Sequence, residues 1–304
     1  MKSESNILIS GASGLVGNAL SKALASQGYN VYKLVRRQAG INEFYWNAID
    51  RIDLPMNAQF DAIIHLSGEN VAGKRWSKKV KQSIYDSRII STKLLVDSLS
   101  KLDKPPTTFI CASAVGIYGD QKDTILEENA AQNPKPQGFL VSVAKDWERE
   151  AQKYRQIISD SRVINARIGV VLSPNGGALE KMLPIFNLGM GGPLGDGKQY
   201  MSWISLTDVI NAFIFCLEDS SANGAFNFCS PNPMTNADFT KAVANFLNRP
   251  AVIPAPAFGL KVALGEMAEE LLLSSVRAIP ANLQALGFEF HHTDLESALK
   301  AELN

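Results

Sequence analysis

The run Asn6-Ile-Leu-Ile-Ser10 breaks into three spaced glycines, Gly11-Ala-Ser-Gly14-Leu-Val-Gly17, and the residues that follow, Leu15 to Ser26, have helical period. Few chain paths accept such a sequence. A glycine at the first position permits a tight turn, and one at the second lets backbone approach a diphosphate. One at the third allows a helix to pack closely on a strand. The phosphates then meet a helix N-terminus, where unpaired N–H groups and the helix dipole favour negative charge. The segment is therefore expected to be a strand, a turn and a helix that together cradle a dinucleotide.

The rest of the N-terminal half supports that reading. Short apolar runs at Ile7–Ile9, Val31–Val35, Ala62–Leu66, Thr108–Cys111 and Val163–Val171 alternate with helical stretches at Leu15–Ser26, Lys78–Leu102 and Phe139–Tyr154. This alternation predicts an α/β fold, a Rossmann-type doubly wound parallel sheet with helices on both faces. Pro105-Pro106 and the loop Asn133-Pro-Lys-Pro136 punctuate it. After Leu172 the pattern changes. Ser173 to Gly197 is glycine-rich, Pro250 to Pro256 carries three prolines, and a helical stretch follows from Leu260 to Leu273. Residues 1–172, with 203–230 returning to the core, are expected to form the dinucleotide-binding domain. Residues 173–202 and 231–304 are expected to form a smaller, substrate-facing C-terminal lobe.

An acidic residue normally ends the second strand of an NAD site, where it holds the ribose hydroxyls. Here Arg36-Arg37 stand instead. Guanidinium groups at that place can pair with a 2′-phosphate, so NADP(H) is the expected cofactor. The chain of 304 residues has 30 basic and 30 acidic side chains, a balance that argues against nucleic acid or anionic membranes as partners and for a small-molecule substrate. Val209–Leu217 is too short to cross a bilayer and reads as a buried helix. The opening Met1-Lys-Ser-Glu-Ser runs straight into the first strand without the apolar core of a secretion signal, so a cytoplasmic protein is expected. Cys111, Cys216 and Cys229 are scattered among apolar or small neighbours and read as buried free thiols. His65 lies within a buried strand, and His291-His292 have no third ligand nearby in sequence, so no metal site is expected.

His65-Leu-Ser-Gly68 and Ser113-Ala-Val-Gly-Ile-Tyr-Gly119, together with the glycine spacing, resemble the extended short-chain dehydrogenase/reductases and sugar-nucleotide epimerases. Gly68-Glu-Asn70, Lys74-Arg-Trp76, Ser87-Arg88 with Thr92, Trp147-Glu148, Gly176-Gly-Ala-Leu179 and Trp203-Ile204 with Asp208 narrow the resemblance. They are similar to the atypical, epimerase-like subfamily that carries its own C-terminal domain of unknown function. The resemblance implies that Gly11, Ser13, Gly14, Leu15, Val16, Gly17, Arg36, Arg37, Leu66, Ser67, Gly68, Arg88, Ala112, Arg167 and Val171 line the cofactor. Ser67 stands where alanine is expected.

The same resemblance exposes a gap. Active members of the superfamily use a tyrosine as general acid/base and a lysine four residues on, because a hydride moves to or from a carbonyl carbon only if a proton is managed at the oxygen. Counting back from Glu148 puts Leu140 and Ala144 at those two positions. Lys145 is one residue off, about 100° around a helix. The usual serine falls near Ala114, with Ser113 adjacent. Glu69, Ser113 and Tyr118 are the expected catalytic candidates, with Lys74 and Tyr200 as further proton donors; Glu69 reads as well as a solvent-facing carboxylate, and Tyr118 and Lys74 read more readily as a packed side chain and a solvated basic turn. Two functions stay open. One is an NADP(H)-dependent oxidoreductase or epimerase-like enzyme acting on a small carbonyl, hydroxyl or nucleotide-sugar-like substrate. The other is a non-catalytic NADP(H)-binding regulatory protein, for which the resemblance implies a link to cell division.

Overall fold

The structure is a computed structural model, which describes residues 4–132 and 137–303; the expected loop at 133–136 lies outside them. The chain opens with β1 (Asn6–Ser10), α1 (Leu15–Ser26), β2 (Asn30–Val35), β3 (Glu43–Tyr45), β4 (Ala62–His65), α2 (Lys78–Leu99) and β5 (Thr108–Ala114). It continues with β6 (Ile125–Leu126), α3 (Phe139–Ile157), β7 (Arg162–Ile168), β8 (Val170–Leu172), α4 (Gly177–Asn187), β9 (Tyr200–Met201), β10 (Trp203–Ser205), α5 (Leu206–Glu218) and β11 (Gly224–Phe228). It closes with β12 (Met234–Thr235), α6 (Asn236–Phe246), α7 (Ala257–Leu264), α8 (Glu266–Leu271), β13 (Arg277–Ala278), α9 (Ala281–Ala285) and α10 (Leu295–Leu303).

Seven strands form one sheet in the order β11-β7-β5-β4-β1-β2-β3, and every pairing in it is parallel. Strand alternation divides the core into two layers. Ile7, Ile9, Ala62, Ile64 and Ile110 face α1 and the apolar α5. Leu8, Ile63, Phe109 and Cys111 face α2 and α3, where Leu95, Leu99, Trp147 and Tyr154 pack on them. The sequence pattern finds the five inner strands of this sheet and misses its two edges, the three-residue β3 and β11, of which only the return of residues 203–230 to the core is expected. Strand order reverses between β1 and β4, so the carboxyl ends of those two strands open a crevice, the place where sheets of this kind bind ligands.

The expected strand Val163–Val171 is in fact two. A Cβ at Gly169 would lie 2.5 Å from the Ser202 carbonyl oxygen, so only glycine lets the chain leave the main sheet there and pair β8 with β10. The helical stretch Leu260–Leu273 is also divided, because Gly265 at φ +65° ends α7 and starts α8. Leu172, Leu179, Phe186, Trp203, Phe239, Val243, Leu295 and Leu299 form a separate apolar cluster that joins α4, α6 and α10. Between α8 and α10 the chain returns to the core: β13 pairs with β6 in a small separate sheet, and Leu283 and Phe288 enter the layer with α1 and α5. All three cysteines are buried and free, as expected. Among the described residues no helix is long and apolar enough to cross a membrane.

Candidate functional site

Gly11 turns at φ +73°, and a Cβ on it would sit 2.8 Å from the backbone of Leu66 at the end of β4. The two strand ends at the crevice are therefore pressed together by the absence of a side chain. At Gly17 a Cβ would lie 2.2 Å from the Gly11 carbonyl oxygen, so the third glycine is what lets α1 rise directly out of the turn. Gly14 occupies the N-cap of α1 and offers no side-chain cap, which leaves the first-turn N–H groups facing outward past exposed Ser13 and Gly14. This is the geometry a diphosphate needs. Leu15 reaches across the opening, since a Cβ at Gly176 would touch its side chain at 3.3 Å, so the start of α4 lies over the start of α1. Val16 turns inward and packs on the core.

Below the cradle lies His65, fully buried. Thr92 gives its hydroxyl proton to the Arg88 carbonyl (2.5 Å), so it accepts from His65 Nε2–H at 3.0 Å. His65 Nδ1 then accepts from Ser10 Oγ at 2.6 Å, and Ser10 Oγ in turn accepts from the Leu66 N–H. A neutral histidine thus ties β1 to β4 just beneath Gly11. Burial, reinforced by the nearby Arg88 charge, pushes its pKa down to about 3.

The arginines divide. Arg36 is exposed at the end of β2 and makes no ion pair among the described residues. Arg37 is held bidentate by Glu43 of β3 at 2.7 Å and 2.7 Å and also donates to the Gln38 carbonyl. Arg88 extends from α2 to Gly68, where a Cβ would lie 2.8 Å from its guanidinium carbon. It also lies 5.1 Å from the centre of the Trp147 ring and donates to the Ile84 carbonyl, but no carboxylate pairs with it. The residue as a whole is half-buried, yet its surroundings are apolar enough that burial pushes its pKa down to about 10, with the Glu69 charge opposing. Among the described residues no carboxylate pairs with this cation, which stands beside the bare backbone of Leu66, Ser67 and Gly68. Ala112 is buried in β5, and Val171 is half-buried in β8 with its carbonyl beside Gly177.

Arg167 corrects the expected cofactor set. It is 5% exposed, and four of its five N–H donors are occupied: two by Glu148 (2.8 and 2.9 Å), one by Tyr118 Oη (3.0 Å) and one by the Glu128 carbonyl (2.6 Å). Burial works against its charge, but the Glu148 carboxylate more than offsets this and raises its pKa. Arg167 is a buried structural cation.

Tyr118 corrects the expected catalytic set in the same way. It is 1% exposed, donates to Asn227 Oδ1 at 2.7 Å and accepts from Arg167. Burial pushes its pKa up to about 12, and its hydroxyl is closed off from solvent. Ser113, at the end of β5, gives its proton to Glu148 Oε1 at 2.7 Å and is buried too. Glu69 alone of the three stands exposed at the mouth, with its peptide N–H bonded to Ser87 Oγ. Lys74 is exposed, and Tyr200 is half-buried under the Arg277 guanidinium at 4.5 Å. Leu140 and Ala144 do stand on α3, and Ala144 is buried.

Sequence reasoning missed the residues that join the lobe to the sheet. Glu270 of α8 accepts from the N–H groups of Phe139 (2.8 Å) and Leu140 (2.7 Å), capping α3 from 130 positions away. Lys81 of α2 pairs bidentate with Glu266 at 2.8 Å and lies 4.5 Å over the Phe139 ring. Trp76 packs edge-on against Phe139 rather than facing solvent, and donates to the Val71 carbonyl. His291 and His292 give their backbone N–H groups to buried Asp208, which fastens the tail to α5. Among the described residues no group of three His, Cys, Asp or Glu side chains is placed to hold a metal.

A reversed parallel sheet, a glycine cradle over a helix N-terminus and cations around it define a dinucleotide-binding protein. Comparison with known proteins narrows this. Residues 7–229 match the NAD dependent epimerase/dehydratase family, and residues 255–302 match a domain of unknown function, DUF1731. An epimerase family protein of Mycobacterium tuberculosis is 42% identical, with 96% of each chain covered. The crystal structure of human epimerase family protein SDR39U1 (isoform 2) with NADPH superposes with a TM-score of 0.89 at 29% identity, covering 98% of each chain. A nucleoside-diphosphate sugar epimerase from Corynebacterium glutamicum gives 0.79 at 33% identity, covering 99% of this chain and 58% of that one. This chain belongs to the NAD dependent epimerase/dehydratase family.

Proposed function

We propose that the chain binds NADP(H) and moves a hydride to or from a carbon of a small carbonyl, hydroxyl or nucleotide-sugar-like substrate, as an oxidoreductase or epimerase-like enzyme. One observation carries the choice of cofactor: Arg36 stands exposed and unpaired where an NAD site places an acid. The human relative solved with NADPH supports it. Gly11, Gly14 and Gly17 would hold the diphosphate against α1, with Arg88 as its nearest cation and Arg36 on the 2′-phosphate. Bound there, NADPH supplies a hydride. This chain's own residues then have to deliver a proton to the carbonyl oxygen, and Glu69, Lys74 and Tyr200 are the candidates outside the buried network. Three buried free thiols suit a reducing compartment such as the cytoplasm.

Titration with NADPH and NADH side by side, followed by nicotinamide fluorescence, tests the cofactor; tighter NADH binding would overturn the assignment. Turnover across a carbonyl, alcohol and nucleotide-sugar panel tests the enzyme. A second reading, a non-catalytic NADP(H)-responsive binding protein, is favoured by the loss at Leu140 and Ala144 together with the internal commitment of Ser113 and Tyr118. Saturable NADPH binding with no turnover on any panel member would select it.

A further inference from the structure

Half or more of the large apolar side chains that stand exposed fall in one stretch of the lobe, residues 185–262. Ile185, Leu188, Met190, Ile253, Phe258 and Val262 are the ones that matter, with Leu188 at 72% and Phe258 at 79% exposure. Two helix faces present them. On α4, Lys181, Ile185 and Leu188 share one face at spacings of four and three, opposite the buried Leu179 and Phe186. Lys181 Nζ donates to the Ala72 carbonyl at 2.7 Å, so this face is turned to the loop that follows β4. On α7 no residue is buried, and Phe258 and Val262 share a face that runs on to Gly265. A Cβ at Gly265 would lie 3.7 Å from the Arg75 guanidinium, so this face too is turned to the same loop.

The two faces are joined at their far ends. A Cβ at Gly189 would touch Pro250 at 3.4 Å, and at Gly192 the backbone of Ile253 passes so close that only glycine fits. Leu188, Met190 and Ile253 therefore belong to one surface. At its near end α4 begins over Leu15 of the glycine cradle. Ile185 is eight residues along α4 from Gly177, roughly 12 Å at 1.5 Å per residue. The apolar surface therefore begins roughly 12 Å along α4 from the end that meets the glycine cradle. Across it stand Lys74 and Arg75, both exposed, and neither is in an ion pair among the described residues.

We propose that the cleft takes an amphipathic anion, a substrate whose apolar body lies along α4 and α7 and whose negative group meets Lys74 and Arg75. This rests on the hydride-transfer reading above and narrows its substrate class. A nucleotide sugar needs polar partners for its base and hydroxyls along the cleft, whereas these two helix faces offer aliphatic and aromatic surface; exposed apolar area of this kind is kept in a soluble protein where something covers it.

The test uses the full chain saturated with NADPH, and cofactor binding is measured first and separately. A dansyl-labelled fatty acid is expected to bind saturably, to be displaced by dodecanoate, and to be unaffected by UDP-glucose. Phe258→Asp, and independently Leu188→Asp, should weaken the probe about tenfold or more while NADPH binding and the melting temperature hold, since burying one such side chain is worth that much. Arg75→Glu should weaken dodecanoate but not dodecanol. Displacement by UDP-glucose, or NADPH binding with no probe binding, overturns the proposal and leaves the cofactor reading standing. Sedimentation with phosphatidylglycerol vesicles without saturable probe binding would assign the surface to a membrane and overturn it as well. Failure of NADPH binding itself would instead sink the function proposed above.

Discussion

His65 should make the cradle acid-sensitive, by an amount that can be worked out. The ring is fully buried, neutral, and donates to Thr92 while accepting from Ser10, so a second proton has no acceptor that is not already in use. Burial holds its folded pKa down to about 3, against 6.5 for an ordinary histidine. A histidine whose folded pKa is lowered contributes stability that is complete above the unfolded value. That stability is lost as pH falls toward the folded one, because the unfolded chain takes up the proton first. Over the whole interval this amounts to about 5 kcal/mol, and between pH 7 and pH 4.5 to about 2.5 kcal/mol. Many carboxylates also titrate in that range, so the quantity to measure is a difference. Urea unfolding of the wild type and of His65→Gln at both pH values should show the wild type losing about 2.5 kcal/mol more than the variant. Equal losses would refute the argument, whatever constant penalty the variant carries at pH 7.

Three further outcomes follow from the site. Arg36→Ser should weaken NADPH about tenfold or more and leave NADH nearly unchanged, while Arg37→Ser should do less, because Glu43 already holds Arg37; isothermal titration reads both. Arg167→Met leaves Glu148 buried without its cation and should cost about 3–5 kcal/mol in chemical denaturation, and adding Glu148→Leu should restore much of it. Glu270→Ala uncaps α3 and should cost about 1 kcal/mol, with faster amide exchange at Phe139 and Leu140, whereas Glu270→Gln should keep part of the protection.

What could be read from the chain was what lies close along it. The glycine spacing, the end of β2 and the switch between apolar period and helical period are local signals, and together they carry the parallel sheet and the cradle. The difference between Arg36 and Arg37 is not local. It depends on Glu43 arriving from the neighbouring strand, and a dipeptide cannot show which of its members has been claimed. Tyr118 looked catalytic because a tyrosine after β5 sits near the crevice in sequence terms, but Asn227 lies 109 positions away and turns it inward. Glu270 is invisible for the same reason. Gly169 and Gly265 were present as letters, yet only the close approach of Ser202 and the positive φ show that each divides an element.

The buried network also bears on where a proton can come from. In the wider superfamily, the tyrosine and lysine place a donor and a cation on the α3 side of the nicotinamide. Here that side offers Leu140 and buried Ala144, while buried Arg167 is neutralised by Glu148, which also takes the Ser113 proton. Arg167 and Ser113 both donate inward, to Glu148. On the proposed hydride-transfer reading, a proton for the substrate oxygen would come from Glu69 or Lys74 on the loop after β4, or from Tyr200 of the lobe. That loop is the same one that α4 touches through Lys181, and it leads into α2, which Lys81 joins to Glu266 of α8. The proposed proton donors thus stand on elements that the lobe touches, which would tie the donor to the substrate surface rather than to the sheet.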